Sequence, residues 1–203
     1  MNDFKFTNAA KFFIGEPHQI DAFEYLQSHT SPEVAEEFQR RFRNEHKIQK
    51  KLPYPGVALI KEFEGCHLKA YYDPLTGGLP ITIGWGSTRD FDYTPFKRDR
   101  VITQEYADRL LEHDILKRFL PKLEKIPYWN EMNERQQGAL LSFAYNLGAD
   151  FYGSSGFNTI SRKLREKDWK GVPAALELYR NPGSKVEAGL RRRRIAEGKL
   201  WMS

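Results

Sequence analysis

The chain has 203 residues, 40% hydrophobic and 29% charged, with a net charge of +5. That apolar content is enough for a sizeable core in one or two domains, and no run approaches the roughly 18 apolar residues of a membrane span. The single cysteine, Cys66, excludes an intramolecular disulfide, and the five histidines are scattered without paired spacing, so no metal or cofactor is expected.

The N-terminus, MNDFKFTNAAKFF, lacks a basic segment followed by an apolar one. Synthesis in the cytoplasm without a signal peptide is therefore expected, with any action outside the cell following release. Residues 1–55 read as a helical extension. Ala22, Tyr25 and Leu26 mark a short helix. In TSPEVAEEFQRRFR, Ser31 is a plausible N-cap and Pro32 takes the first helical position, with Val34, Phe38 and Phe42 forming one stripe. The polar stretch EHKIQKKLPYPG reads as a linker, which places a domain boundary near 53–55 and a second domain over 56–203.

Residues 56–65 are expected to form a short helix that Gly65 stops. Val57, Ile60 and Glu64 share one face, at i, i+3 and i+7. The Gly-, Pro-, Thr- and Tyr-rich stretch 66–95 predicts small antiparallel strands. In ITIGWG, Ile81 and Ile83 alternate with Thr82 and Gly84, the pattern of a half-buried strand. From Thr103 the period becomes helical. Tyr106, Ala107, Leu110, Leu111, Ile115 and Phe119 line one face of a long helix that Pro121 should end or kink. NERQQGALLSFAYNLG predicts another helix, capped by Asn133 with Gln136 and followed by Gly148. Shorter helices are expected near 158–167, 172–180 and 187–199. The sum is an α+β fold, a small β-containing lobe against a larger helical one with a cleft between them.

Charge is uneven along the chain. Residues 1–55 hold eight basic and eight acidic side chains, whereas 181–203 hold six basic and two acidic. A basic face suits a polyanion such as nucleic acid, an anionic membrane or wall polymer, and it equally suits a solvated surface. No helix-turn-helix, zinc or RNP-type motif points to nucleic acid. The run Arg191–Arg194 cannot face one way on a helix, so one or two of its members are expected to meet anionic polymer and the rest to be solvated.

Two acids stand out. Glu64 sits at a helix C-terminus, on an apolar face, and both features disfavour its charge, so its pKa is expected to rise. Asp73, in a polar turn nine positions later, is expected to stay ionised. A neutral carboxyl beside an ionised one is what glycoside hydrolysis requires, and the Thr82 hydroxyl can position a water. The same residues serve equally well as a helix-end carboxylate and an Asp-Pro turn former. A catalytic Cys66 would need an activating base. His67 is its neighbour, but adjacent strand residues point to opposite faces.

The string LIKEFEGCHLKAYYDPLTGG…TIGWGST resembles the signature of phage-type lysozymes (endolysins). The resemblance extends through ITQEYADRLLEHDI, ALLSFAYNLG and GLRRRRIAEGKLW, about residues 56–203 in all. It implies a lysozyme-like fold and a muramidase acting on bacterial peptidoglycan, a monomer with no nucleic-acid partner, no stable membrane insertion and an inverting mechanism. Glu64 matches the catalytic acid, Asp73 the second carboxylate and Thr82 the strand threonine. Tyr145 and Asn146 match a cleft-lining aromatic and amide, positions that a core aromatic and a helix-end Asn would also fill. Trp85 offers a sugar-stacking face or a core side chain. Ser87 stands where the family often has His, a change expected to affect stability more than chemistry. A non-catalytic wall-binding module of the same fold is the alternative.

Overall fold

A computed structural model of the chain describes Ser31 and residues 52–72 and 77–203. The helices expected upstream of residue 52, and Asp73, lie outside the described residues. The described compact unit begins at Leu52. Leu52 is 5% exposed and belongs to the core, so the segment expected to finish the linker is instead packed.

Helix α1 spans Tyr54–Glu64, with Pro55 in its first turn and Gly65, at φ 71°, ending it. Proline there forfeits only an N–H that the first turn leaves unpaired anyway. The helix buries Gly56, Val57, Leu59 and Ile60. Strands β1 (His67–Tyr72) and β2 (Ile81–Gly84) form a two-stranded antiparallel sheet, with Tyr71 opposite Thr82 and Tyr72 opposite Ile81. The other edge of β1 is met by residues 100–102: Ala70 N–H donates to the Arg100 carbonyl and Ile102 N–H to the Leu68 carbonyl, each at 2.9 Å. Unlike the expected half-buried alternation, Thr82 and Gly84 are buried along with Ile83. Gly84 faces Ala107 and Ile102, so both sides of β2 are covered.

Helix α2 (Gln104–Asp114) is capped by Thr103, whose hydroxyl accepts from Tyr106 N–H at 3.1 Å. It passes into a π-helical segment, Ile115–Phe119, and then α3, Leu120–Leu123. The break expected from Pro121 is thus a change of winding. Leu120 N–H reaches back to the Ile115 carbonyl, and Pro121, which has no N–H, enters the first turn of α3. Helix α4 (Glu134–Leu147) begins with the expected capping box of Asn133 and Gln136 and ends at Gly148. It is followed by α5 (Asn158–Arg165), α6 (Val172–Glu177) and α7 (Glu187–Met202).

The buried apolar residues form two clusters. The larger surrounds α4 and includes Ile60, Leu111, Ile115, Leu140, Phe143, Phe151, Leu176 and Trp201. The smaller joins Ala70, Ile83, Phe96, Ile102, Ala107 and Leu110 under the sheet, and Trp85 packs against both. Where α1 meets α4, glycine lies on glycine. A Cβ on Gly56 would sit 2.4 Å from the Gly138 carbonyl oxygen, and one on Gly138 2.6 Å from the Gly56 nitrogen. That close approach fixes the track along which α1 delivers Glu64. The fold is α+β, mostly helical with one small sheet.

Candidate active site

Glu64 is the last residue of α1, and β1 starts three residues later. Its side chain is 25% exposed and its Oε1 accepts from Arg193 Nη1 at 2.5 Å. The apolar surrounding expected from helix periodicity is therefore not what the carboxylate meets. Arg193, on α7, is itself held from every side. Its Nη2 donates to the Ser142 carbonyl at 3.0 Å, and its Nε lies 3.4 Å from Ser142 Oγ and 3.3 Å from Glu197 Oε1. Its guanidinium carbon lies 5.7 Å from the centre of the Phe63 ring.

Behind Arg193 the charges continue inward. Glu197 is completely buried and also accepts from Ser142 Oγ at 2.8 Å and Arg194 Nη2 at 3.0 Å. Burial pushes its carboxyl up to about 7, against the opposing pull of Arg194, Ser142 and Arg193. Arg194 is equally buried, and desolvation lowers its guanidinium to about 10 despite Glu197. Its Nη2 also donates to Asn146 Oδ1 at 3.1 Å, and its guanidinium lies over the Phe143 ring at 4.8 Å. The expectation that Arg191–Arg194 would be divided between wall polymer and solvent fails for the second pair. Arg193 and Arg194 are 3% and 0% exposed, because α7 turns them onto α4, where Glu197 and Ser142 receive them. Only Arg191 and Arg192 face solvent.

Thr82 lies on β2 opposite Tyr71, two residues before Asp73, and is 8% exposed. Beside this hairpin is a pocket of about 450 Å³ lined by Lys69, Ala70, Tyr71, Tyr72, Arg98 and Asp99. The Arg98 guanidinium lies 5.3 Å from the centre of the Tyr72 ring. Tyr145 and Asn146 are half-buried, and each makes a hydrogen bond within the fold. Tyr145 stacks on Phe119 and its hydroxyl donates to the Trp85 carbonyl at 2.9 Å, so it ties α4 to the sheet. Burial, followed by the charges of Asp114 and Glu64, raises the Tyr145 phenol far above its ordinary value. Trp85 Nε1 donates to Asp108 Oδ1 at 2.7 Å, an oxygen that also receives Lys61 at 2.8 Å and Gln104 at 3.0 Å. Burial opposes the charge of Asp108, but these three partners together hold its carboxyl below the ordinary range.

The family model for phage lysozyme matches residues 61–197, most of the chain. The chain belongs to the phage lysozyme family. The endolysin of Lactococcus phage c2 is 35% identical over 151 residues, a stretch that is 74% of this chain and 60% of that endolysin. The chain thus spans less than two thirds of that relative. An endolysin from Escherichia coli O157:H7 phage FAHEc1 superposes with a TM-score of 0.63 at 28% identity, over 76% of this chain and 95% of the other. The muramidase domain of SpmX from Asticaccaulis excentricus gives 0.58 at 30% identity, over 75% and 98%.

Ser87, expected from the resemblance to affect stability more than chemistry, is buried. Its hydroxyl donates to Asp114 Oδ2 at 2.7 Å, while Arg118 meets the other oxygen at 3.1 Å. A neutral hydroxyl thus serves the buried carboxylate. Cys66 is half-buried, and burial pushes its thiol up, the direction opposite to that of a reactive thiolate. His67, its neighbour, lies against Tyr71. Among the described residues, no group of three or more His, Cys, Asp or Glu could hold a metal ion, and no helix is long and apolar enough to cross a membrane. Sequence reasoning missed Glu197 and the inward role of Arg193 and Arg194. Their i, i+3 and i, i+4 spacing was the available signal.

Proposed function

We propose that this phage lysozyme family member is a muramidase that hydrolyses the β-1,4 bond between N-acetylmuramic acid and N-acetylglucosamine in bacterial peptidoglycan. It works as a monomer, without a cofactor, on the cell wall after release. Residues 56–203 supply the catalytic domain, and 1–55 are an extension. The observation that carries the reading is the placement of Glu64, a partly buried carboxyl at a helix end, directly before the hairpin that bears Thr82. Glu64 protonates the leaving glycosidic oxygen. Asp73 stays ionised and supports the positive charge that develops on the sugar, and Thr82 orients the attacking water with its hydroxyl. Tyr145 and Asn146 line the cleft, the amide being steadied by Arg194.

The test is a turbidity assay on purified peptidoglycan. Glu64→Gln keeps the side-chain volume and removes the transferable proton, so clearing should fall at least about 100-fold while the chain stays folded. If the Glu64→Gln variant clears walls at near parental rate, Glu64 loses the acid role. A parental chain that binds walls but leaves them intact would make it a binding module.

A further inference from the structure

We propose that the pocket beside β1 is a recognition site that takes the free carboxylate of a short peptide with an amine near it. Glu64 is not among its lining residues. The proposal rests on the reading of peptidoglycan as the substrate in one respect: the peptides meant are the stems that this polymer carries on its sugars. The pocket arises where a strand edge comes apart. Residues 100–102 bond to β1 as far as Ala70, whose N–H donates to the Arg100 carbonyl at 2.9 Å. Beyond that point the chain turns away. Arg100 N–H donates to the Lys97 carbonyl at 3.1 Å, which closes a turn with Arg98 and Asp99 at its two central positions. Tyr71 and Tyr72 form one wall and the turn forms the other. The resulting 450 Å³ lies within the range of about 300–1,000 Å³ common for small-ligand pockets.

Three charged side chains, Lys69, Arg98 and Asp99, line this space, and among the described residues none of the three is in an ion pair. Nearby charges are matched: Lys61 meets Asp108 at 2.8 Å, Arg100 meets Asp90 at 3.9 Å and Arg118 meets Asp114 at 3.1 Å. Arg98 is nevertheless held in place. Its guanidinium carbon lies 5.3 Å from the centre of the Tyr72 ring, which is 40% exposed. The ring supports the guanidinium face and leaves its N–H edges to donate. A guanidinium so placed, with no carboxylate from its own chain, presents the parallel donors that a carboxylate accepts from. Lys69 adds a second cation and Asp99 a single anion. Two cations and one anion suit a carboxylate with an ammonium beside it better than they suit a phosphate dianion.

The experiment titrates three probes into the full chain by NMR: a stem-type tetrapeptide with a free C-terminal carboxylate and a side-chain amine, the same peptide amidated at its C-terminus, and a glycerol phosphate polymer. The free peptide should shift the Tyr72 and Arg98 signals, and the amidated peptide should bind at least about tenfold more weakly. Arg98→Gln should weaken the free peptide about tenfold and the amidated one almost not at all, because the carboxylate and the guanidinium are two halves of one interaction. Arg98→Lys, which keeps the charge without the paired donors, should recover part of the loss. In kinetics, the preference in kcat/KM for peptide-bearing over peptide-free oligosaccharide should fall about tenfold in Arg98→Gln, chiefly through KM. Free and amidated peptides that bind alike, or that lose equally in Arg98→Gln, would overturn the proposal. So would a phosphate polymer that needs Arg98 while the peptide does not bind. A parent that binds the peptide through Arg98 but leaves peptidoglycan intact keeps the pocket and removes the hydrolase reading. A parent that clears walls without responding to the peptide removes the pocket alone.

Discussion

The two sides of the described unit manage charge in opposite ways. Under the helices, Arg193, Arg194 and Glu197 are fully enclosed and paired. Around the sheet, ion pairs keep at least one partner open to solvent, as Arg118 does beside buried Asp114. Arg100 lies 3.9 Å from Asp90 with its side chain 46% exposed, and Asp92 serves Thr94 in an open turn. The cause is thickness. A two-stranded sheet with one small apolar cluster beneath it has no interior deep enough to enclose an ion pair, whereas α4 and α7 make one between them. Buried charges are costly to desolvate and stay only where each is met by several partners. In this molecule the enclosed set is the one that reaches Glu64.

The sharpest way to break this contrast is to remove one charge from each side. Arg194→Gln leaves Glu197 short of a buried partner and should cost about 3 kcal/mol in urea unfolding. Arg100→Gln loses a screened, partly exposed pair and should cost less than about 1 kcal/mol. Equal losses would show that enclosure does not set the energetic weight of these charges.

A gentler probe is pH. The ordinary value of a Glu carboxyl is 4.5 and burial raises Glu197 to about 7, so the folded state holds this proton more tightly than the unfolded state does. Its contribution is therefore fully present below 4.5 and is lost as pH rises through about 7. Asp108 and Asp168 are shifted the other way, and their contributions are lost at acid pH, below the usual carboxylate range. The thermal midpoint should accordingly fall between about pH 5 and pH 8, and Glu197→Gln should flatten that slope. A parental midpoint that rises across the same interval would remove Glu197 as its source.

The smallest effect on stability is expected at Arg191 and Arg192, the exposed half of the run. Replacing both with Gln should leave the unfolding free energy within about 0.5 kcal/mol. Association with intact walls should nevertheless weaken, most at low ionic strength, since screening acts over about 10 Å at 0.1 M. Wall binding that is unchanged at every salt concentration would end the idea of steering by this pair.

Local rules wrote much of this molecule into its sequence. Gly65 stops α1 because it reaches positive φ without strain, and Asn133 with Gln136 starts α4 because their side chains satisfy its first N–H groups. The buried face from Ala107 to Leu111 was legible for the same reason, being a matter of spacing along one chain. Enclosure was not. Four consecutive arginines look alike in sequence, and only the packing of α7 against α4 decided that Arg191 and Arg192 face solvent while Arg193 and Arg194 enter the core. Tertiary packing likewise brought Arg193 to Glu64 across 129 positions of sequence, replacing an expected apolar environment with a shared guanidinium. Periodicity reports which face of a helix a residue occupies, but the partner waiting on that face comes from a distant segment, and no local pattern specifies it.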